Sequence, residues 1–267
     1  MSGDISRLVS IAAHTRQQVA AAAEKIPLDE IRRRARLEPP ARDFLGALRT
    51  PGVALIAEIK RASPAAGTIS DTLDPADLAR RYVAGGARAL SVWTEARYFH
   101  GYPAMVREMR AAAAVPVLRK DFILEPYQMY ESRSVGADAV LLIAALLDTL
   151  ALGALIRLAD DLGMAAAVDV HRDVDVDTAV AAGAKAIFIH NRDVGTFDVD
   201  LEKTVRMRKR IPAGVVVVSE SGISTPEHVA LLRDHVDAVL VGMGLMASTD
   251  PQATMRALIA AGRRVKA

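Results

Sequence analysis

Short apolar runs rich in Val and Ile recur through residues 53–241 and stop abruptly in charged or polar side chains. The stops read Ala57-Glu58-Ile59-Lys60, Trp93-Thr94-Glu95, Leu118-Arg119-Lys120-Asp121, Val168-Asp169-Val170-His171, His190-Asn191-Arg192-Asp193 and Ser219-Glu220-Ser221-Gly222. The runs predict strands at 53–59, 89–93, 116–118, 139–143, 165–170, 186–189, 215–218 and 238–241. Continuous apolar character is what strands covered on both faces require. Helical periodicity fills the gaps at 75–84, 102–113, 127–135, 150–162, 174–182, 201–211 and 226–234, with a last helix at 251–261. Three of these helices run into glycine before the next strand, at Gly85-Gly86, Gly136 and Gly183. Glycine there supplies the C-cap that turns the chain back toward the sheet.

Eight strand–helix units predict an α/β fold, a single closed (β/α)8 TIM barrel. An open doubly wound sheet typically uses fewer strands, and no GxGxxG opens a helix after the first strand. A barrel of this kind gathers all C-terminal strand ends on one rim, where active sites sit. That explains the polar stops, because an ionised group at a buried tip is costly unless it is paired. Residues 1–50 lie outside the repeat. They predict a helical extension packed on the barrel, with helices at 5–24 and 27–35 and a break at Glu38-Pro39-Pro40, leaving 51–267 as the barrel domain.

Composition narrows the functional classes. Of 267 residues, 51% are hydrophobic and 25% charged, which is ample for a large core. The formal net charge is +2 with acids and bases interspersed, so no nucleic-acid footprint is expected, while an anionic small-molecule substrate is compatible. The absence of cysteine excludes disulfides, Cys-zinc sites and thiolate chemistry, and suits a reducing cytoplasm. Residues 1–18 lack the layout of a secretory signal. The longest apolar stretch, 137–147, carries Asp138 and is too short to cross a bilayer, so no membrane role is expected.

Four segments, in order and with near-uniform spacing, resemble the indole-3-glycerol phosphate synthases of tryptophan biosynthesis. They are Ile56-Ala57-Glu58-Ile59-Lys60-Arg61-Ala62-Ser63-Pro64, Leu90-Ser91-Val92-Trp93-Thr94-Glu95 with Tyr98-Phe99, Pro116-Val117-Leu118-Arg119-Lys120-Asp121-Phe122, and Ser219-Glu220-Ser221-Gly222-Ile223 followed by Val239-Leu240-Val241-Gly242. The resemblance spans residues 40–260 and implies a cofactor-free carboxy-lyase. Its substrate would be an anthranilate-bearing open-chain deoxyribulose phosphate, closed and decarboxylated to an indole. Lys120 would be the general acid at the ketone, its pKa lowered by burial or neighbouring cations. Lys60 would grip phosphate or carboxylate, and Glu58 and Glu220 would position the lysines. Ser221, Gly222 and Gly242, small residues at strand ends, would open backbone N–H groups to phosphate. Pro64, Phe99, Phe122 and Leu141 would line a slot for the aromatic ring, with Ser63, Arg192 and Met243 as further substrate-binding positions.

Three rim positions depart from the family pattern. Asp169 stands where the family has a glutamate serving as base in the dehydration, shortening the reach by one methylene, about 1.5 Å. His190 replaces an asparagine, and Met243 stands where Glu or Ser is usual; residues 233–236 also run one residue short. Three readings follow. One is an ordinary synthase that tolerates the changes. Another is a relative in specialised metabolism acting on a related arylamino deoxyribulose phosphate, with His190 replacing Asp169 as base or filling vacated space. The last is a barrel that binds a phosphate ligand without turnover. No metal is expected, since His171 and His190 show no His-x-His or carboxylate motif, and a monomer or weak homodimer is expected.

Overall fold

The computed structural model of the chain describes residues 2–64, 66–193 and 195–264, and of residues 2–9 the backbone alone. Eight parallel strands close into a barrel: β1 (Ala54–Ile59), β2 (Ala89–Trp93), β3 (Val117–Lys120), β4 (Ala139–Ile143), β5 (Ala165–Val170), β6 (Ala186–His190), β7 (Val216–Glu220) and β8 (Ala238–Val241). Closure runs through β1 and β8, with Ile56 opposite Leu240. The TIM-barrel expectation holds. Three strands extend further into the polar stops than periodicity suggests. In β3, for example, the ladder continues through Val92 opposite Arg119 and Trp93 opposite Lys120, because backbone pairing is indifferent to side-chain charge.

The alternation along each strand sorts side chains between two apolar clusters. Leu55, Ala57, Ile59, Val168, Val170, Ile187 and Ile189 pack outward under the helices. Ala54, Ile56, Leu118, Leu141, Ala167, Phe188, Val218 and Leu240 point inward and fill the barrel. The next inward position on six of these strands is Glu58, Lys120, Ile143, Asp169, His190 and Glu220, with Gly242 following Leu240 at the end of β8. Period two thus delivers one side chain per strand to the cup above the packed interior.

The extension engages both ends of the barrel. The helix Ser2–Lys25 brings Ile11 to the mouth, and Tyr127 Oη donates to the Ala22 and Ile26 carbonyls at 3.2 and 3.0 Å. A helix at Leu28–Leu37 packs on the barrel helix Pro126–Ser134. A short helix missed by periodicity, Phe44–Leu48, seats two fully buried apolar side chains against Ala54, Ala89, Ala186 and Ala238 at the opposite end. Five residues are too few for a helical repeat to show in sequence.

Candidate active site

A cavity of 670 Å³ opens at the C-terminal rim. At its base Glu58 binds both lysines: Oε1 accepts from Lys60 Nζ at 2.8 Å and Oε2 from Lys120 Nζ at 3.0 Å. Lys120 also donates to Glu220 Oε2 at 2.7 Å, and its ammonium sits 5.2 Å from the Trp93 ring centroid, a cation–π distance. The two ammonium groups therefore share one carboxylate within one cup.

Electrostatics here reverses one expectation. Burial by itself would lower the Lys120 pKa, but Glu220 and Glu58 outweigh it and hold the ammonium above its usual range. Burial would likewise raise Glu58, yet Lys120 and Lys60 bring its carboxyl down to about 2. Lys120 is a firmly protonated donor, because the neighbours that dominate it are carboxylates. Behind it Arg119 faces outward, where Asp121, Glu131, Thr94 and Ser132 satisfy its guanidinium.

The other side of the mouth is built on imidazole. Asp169 Oδ2 meets His171 Nε2 at 2.9 Å. His190 Nδ1 lies 3.1 Å from Glu220 Oε1 and 3.7 Å from Asp169 Oδ1. The two imidazoles stack at 4.5 Å. Burial would lower His190, but the carboxylates of Asp169 and Glu220 beside it carry it from its ordinary 6.5 to about 9. Asp169, which burial alone would raise, is pulled well below the carboxylate range by His171 and His190. Near neutral pH His190 is an imidazolium, which removes the reading of it as a base replacing Asp169. Asp169, His171 and His190 are also a group able to hold a metal ion, with one ligand atom from each within 4.8 Å of the others. The expectation of no ligand set thus needs correcting: it overlooked Asp169-x-His171, whose two-residue spacing at a strand end puts both side chains on one face.

Ser63, Pro64, Phe99, Phe122, Arg192, Ser221, Gly222, Gly242 and Met243 all line the cavity, as expected. Leu141 does not: it is 1% exposed in the barrel interior, one inward layer below Ile143, which takes the wall position. Ser221 and Gly222 have consecutive positive φ angles of 70° and 80°. Asn191 Nδ2 donates to the Ser221 carbonyl at 3.0 Å and fixes this turn. A Cβ at Gly242 would stand 2.7 Å from Glu58 Oε1 and 3.3 Å from Lys60 Nζ, so glycine permits the close approach of that ion pair. Sequence reasoning missed Trp93 as the partner of Phe99, stacked at 3.7 Å, and Ile11 and Tyr98 as walls. The Trp93-Thr94-Glu95 stop was the available signal for the first; nothing local marks Ile11.

A closed parallel barrel carrying a cup of paired ammonium and carboxylate groups on its C-terminal rim has the layout of a TIM-barrel enzyme. Solved structures agree on the fold. Thiamine phosphate pyrophosphorylase from Pyrococcus furiosus superposes with TM-score 0.58 at 16% identity, covering 80% of this chain and 96% of that one. KGPDC from Streptococcus mutans gives 0.61 at 15%, covering 79% and 97%. The chain belongs to the indole-3-glycerol phosphate synthase family, whose model matches residues 8–258. The indole-3-glycerol phosphate synthase of Mycobacterium avium (strain 104) is 45% identical over 256 residues, 96% of this chain and 94% of that protein. That of Saccharopolyspora erythraea is 44% identical over 259 residues, 97% and 96%.

Proposed function

We propose that this chain is a carboxy-lyase converting 1-(2-carboxyphenylamino)-1-deoxyribulose 5-phosphate to indole-3-glycerol phosphate. The reaction joins the ring carbon bearing the carboxylate to the ketone carbon, releases carbon dioxide to restore aromaticity, and expels the former ketone oxygen as water. The observation that carries this reading is the cup in which Glu58 holds Lys60 and Lys120 together beside the Trp93–Phe99 stack. Lys120 donates its proton to the ketone oxygen as the carbon–carbon bond forms, and its carboxylate neighbours keep it charged until then. Lys60, at the edge of the cup, holds the substrate carboxylate against the ring-closing geometry. An apolar wall of Pro64, Phe99 and Phe122 takes the aromatic ring, and the Ser221–Gly222 turn with Gly242 takes the phosphate.

Dehydration falls to the β5–β6 side. The His190 imidazolium protonates the departing hydroxyl, and Asp169 accepts the proton from the adjacent methylene. A group titrating at about 9 donates where asparagine cannot. This difference favours, as a second reading, a relative acting on a related arylamino deoxyribulose phosphate. A cytoplasmic location and a monomer or weak homodimer are part of the same proposal; among the described residues no helix is long and apolar enough to cross a membrane.

The test is turnover of the anthranilate-derived deoxyribulose phosphate, followed by indole absorbance and fluorescence and by released carbon dioxide. Indole product that vanishes in Lys120→Ala supports the proposal. Tight binding with no product, unchanged by Lys120→Ala, would overturn it in favour of a barrel that only binds.

A further inference from the structure

We infer that Asp169, His171 and His190 form a binding site for one divalent transition-metal ion of the zinc class, at the β5–β6 edge of the mouth. The geometry is close to ready. The pairs His171 Nε2–Asp169 Oδ2 and His190 Nδ1–Asp169 Oδ1 are separated by 2.9 and 3.7 Å. A tetrahedral ion with bonds of about 2.0–2.1 Å sets its ligand atoms roughly 3.4 Å apart, between those two values. One ligand atom from each of the three residues lies within 4.8 Å of the others, so the side chains must draw together to reach that spacing. All three residues line the cavity, which leaves a fourth coordination position open toward it.

Two independent features point to a cation there. Asp169 is 4% exposed, yet its Oδ1 has no hydrogen-bond partner among the described residues. With only an ion pair at 3.7 Å to His190, this buried oxygen is under-satisfied, and a directly bound cation would supply what is missing. The charges of the cup give the same answer. Three buried carboxylates, Glu58, Asp169 and Glu220, face two ammonium groups, Lys60 and Lys120, leaving one negative charge in excess. With both imidazoles neutral, a bound dication turns that excess of one negative charge into one positive charge, so the buried cup gains a counter-ion without a larger net charge.

The donor set selects the class of ion. Two imidazoles with one carboxylate suit zinc, cobalt, nickel or copper and not magnesium or calcium, which take oxygen ligands. His171 Nε2 now donates to Asp169 Oδ2, and its Nδ1 makes no hydrogen bond among the described residues, so metal binding requires only that the ring proton move from Nε2 to Nδ1.

Cobalt(II) serves as the probe, titrated into the full chain after chelator treatment, with no substrate present. The site predicts one cobalt per chain, with visible d–d bands that zinc displaces stoichiometrically. His171→Asn and His190→Asn should each weaken binding by about 100-fold or more, by analogy with the cost of disturbing even an outer-shell partner. His100→Asn, which changes an exposed histidine outside the cavity lining, should leave it intact. Thermal melts of each variant show whether the fold survives. Where one triad variant fails to fold, the other decides. Absence of a one-to-one cobalt spectrum, or equal binding by the triad variants and the parent, would overturn the site. Because no turnover is measured, a failure of the catalytic assignment leaves this result readable.

Discussion

The β1–β3 side of the mouth holds its carboxylate with two ammonium groups, whereas the β5–β6 side holds Asp169 with two stacked imidazoles. Glu220 joins them, giving one oxygen to Lys120 and the other to His190. The lysine side is fixed in charge over the whole neutral range: Glu58 sits at about 2 and Lys120 lies above its usual range. The histidine side carries a proton that leaves near pH 9. The first side suits a step that needs a constant electrostatic grip, the second a step that moves a proton. The first side carries the long motifs on which the family resemblance was read, and the second carries the positions expected to depart from it.

Removing the shared cation is the hardest blow to this division. Lys120→Ala should lower kcat by about 10²- to 10⁴-fold, the usual worth of a positioned proton donor. It also strands Glu58 and Glu220, so a lowered melting temperature should accompany the loss. Gly242→Ala comes next. Its methyl group would crowd Glu58 Oε1 and Lys60 Nζ. A displacement of about 1 Å predicts a loss on the order of 10²-fold in kcat/KM.

Asp169→Glu probes the other side, restoring the family's longer reach, and should raise kcat by about tenfold. A fall would mean that the shorter carboxylate is matched to His190. His190→Asn, which removes the proposed donor to the departing hydroxyl, is read in the pH profile. The parent should lose turnover as pH rises through about 9, and the variant should lack that limb. Stability should follow the same sign. A histidine raised from 6.5 to about 9 stabilises the fold fully below pH 6.5, and this contribution, about 3 kcal/mol, disappears as pH rises through 9. Urea unfolding of parent and variant at both ends of that window checks it.

The barrel was legible because its signal is collective: eight apolar runs in phase with eight helices leave few alternatives. The lysine side was legible too, since its residues occupy long motifs at strand tips. What the sequence concealed is direction. Arg119 and Lys120 are neighbours in one motif, yet alternation sends one under the helices and the other into the cup. Leu141 and Ile143 share a face but differ by one layer, so the wall was assigned to the wrong member. The sign of the Lys120 shift was equally hidden. It depends on whether cations or carboxylates lie nearest, which spacing along the chain does not report. Ile11 reaches the mouth from an Ala-rich helix with no local mark of that role.

The central contrast, fixed charge on one side and a held proton on the other, is tested most directly by an NMR titration of the His190 imidazole in chelator-treated protein, assigned with His190→Asn. The account predicts a midpoint near pH 9. A midpoint at or below the ordinary 6.5 would contradict it.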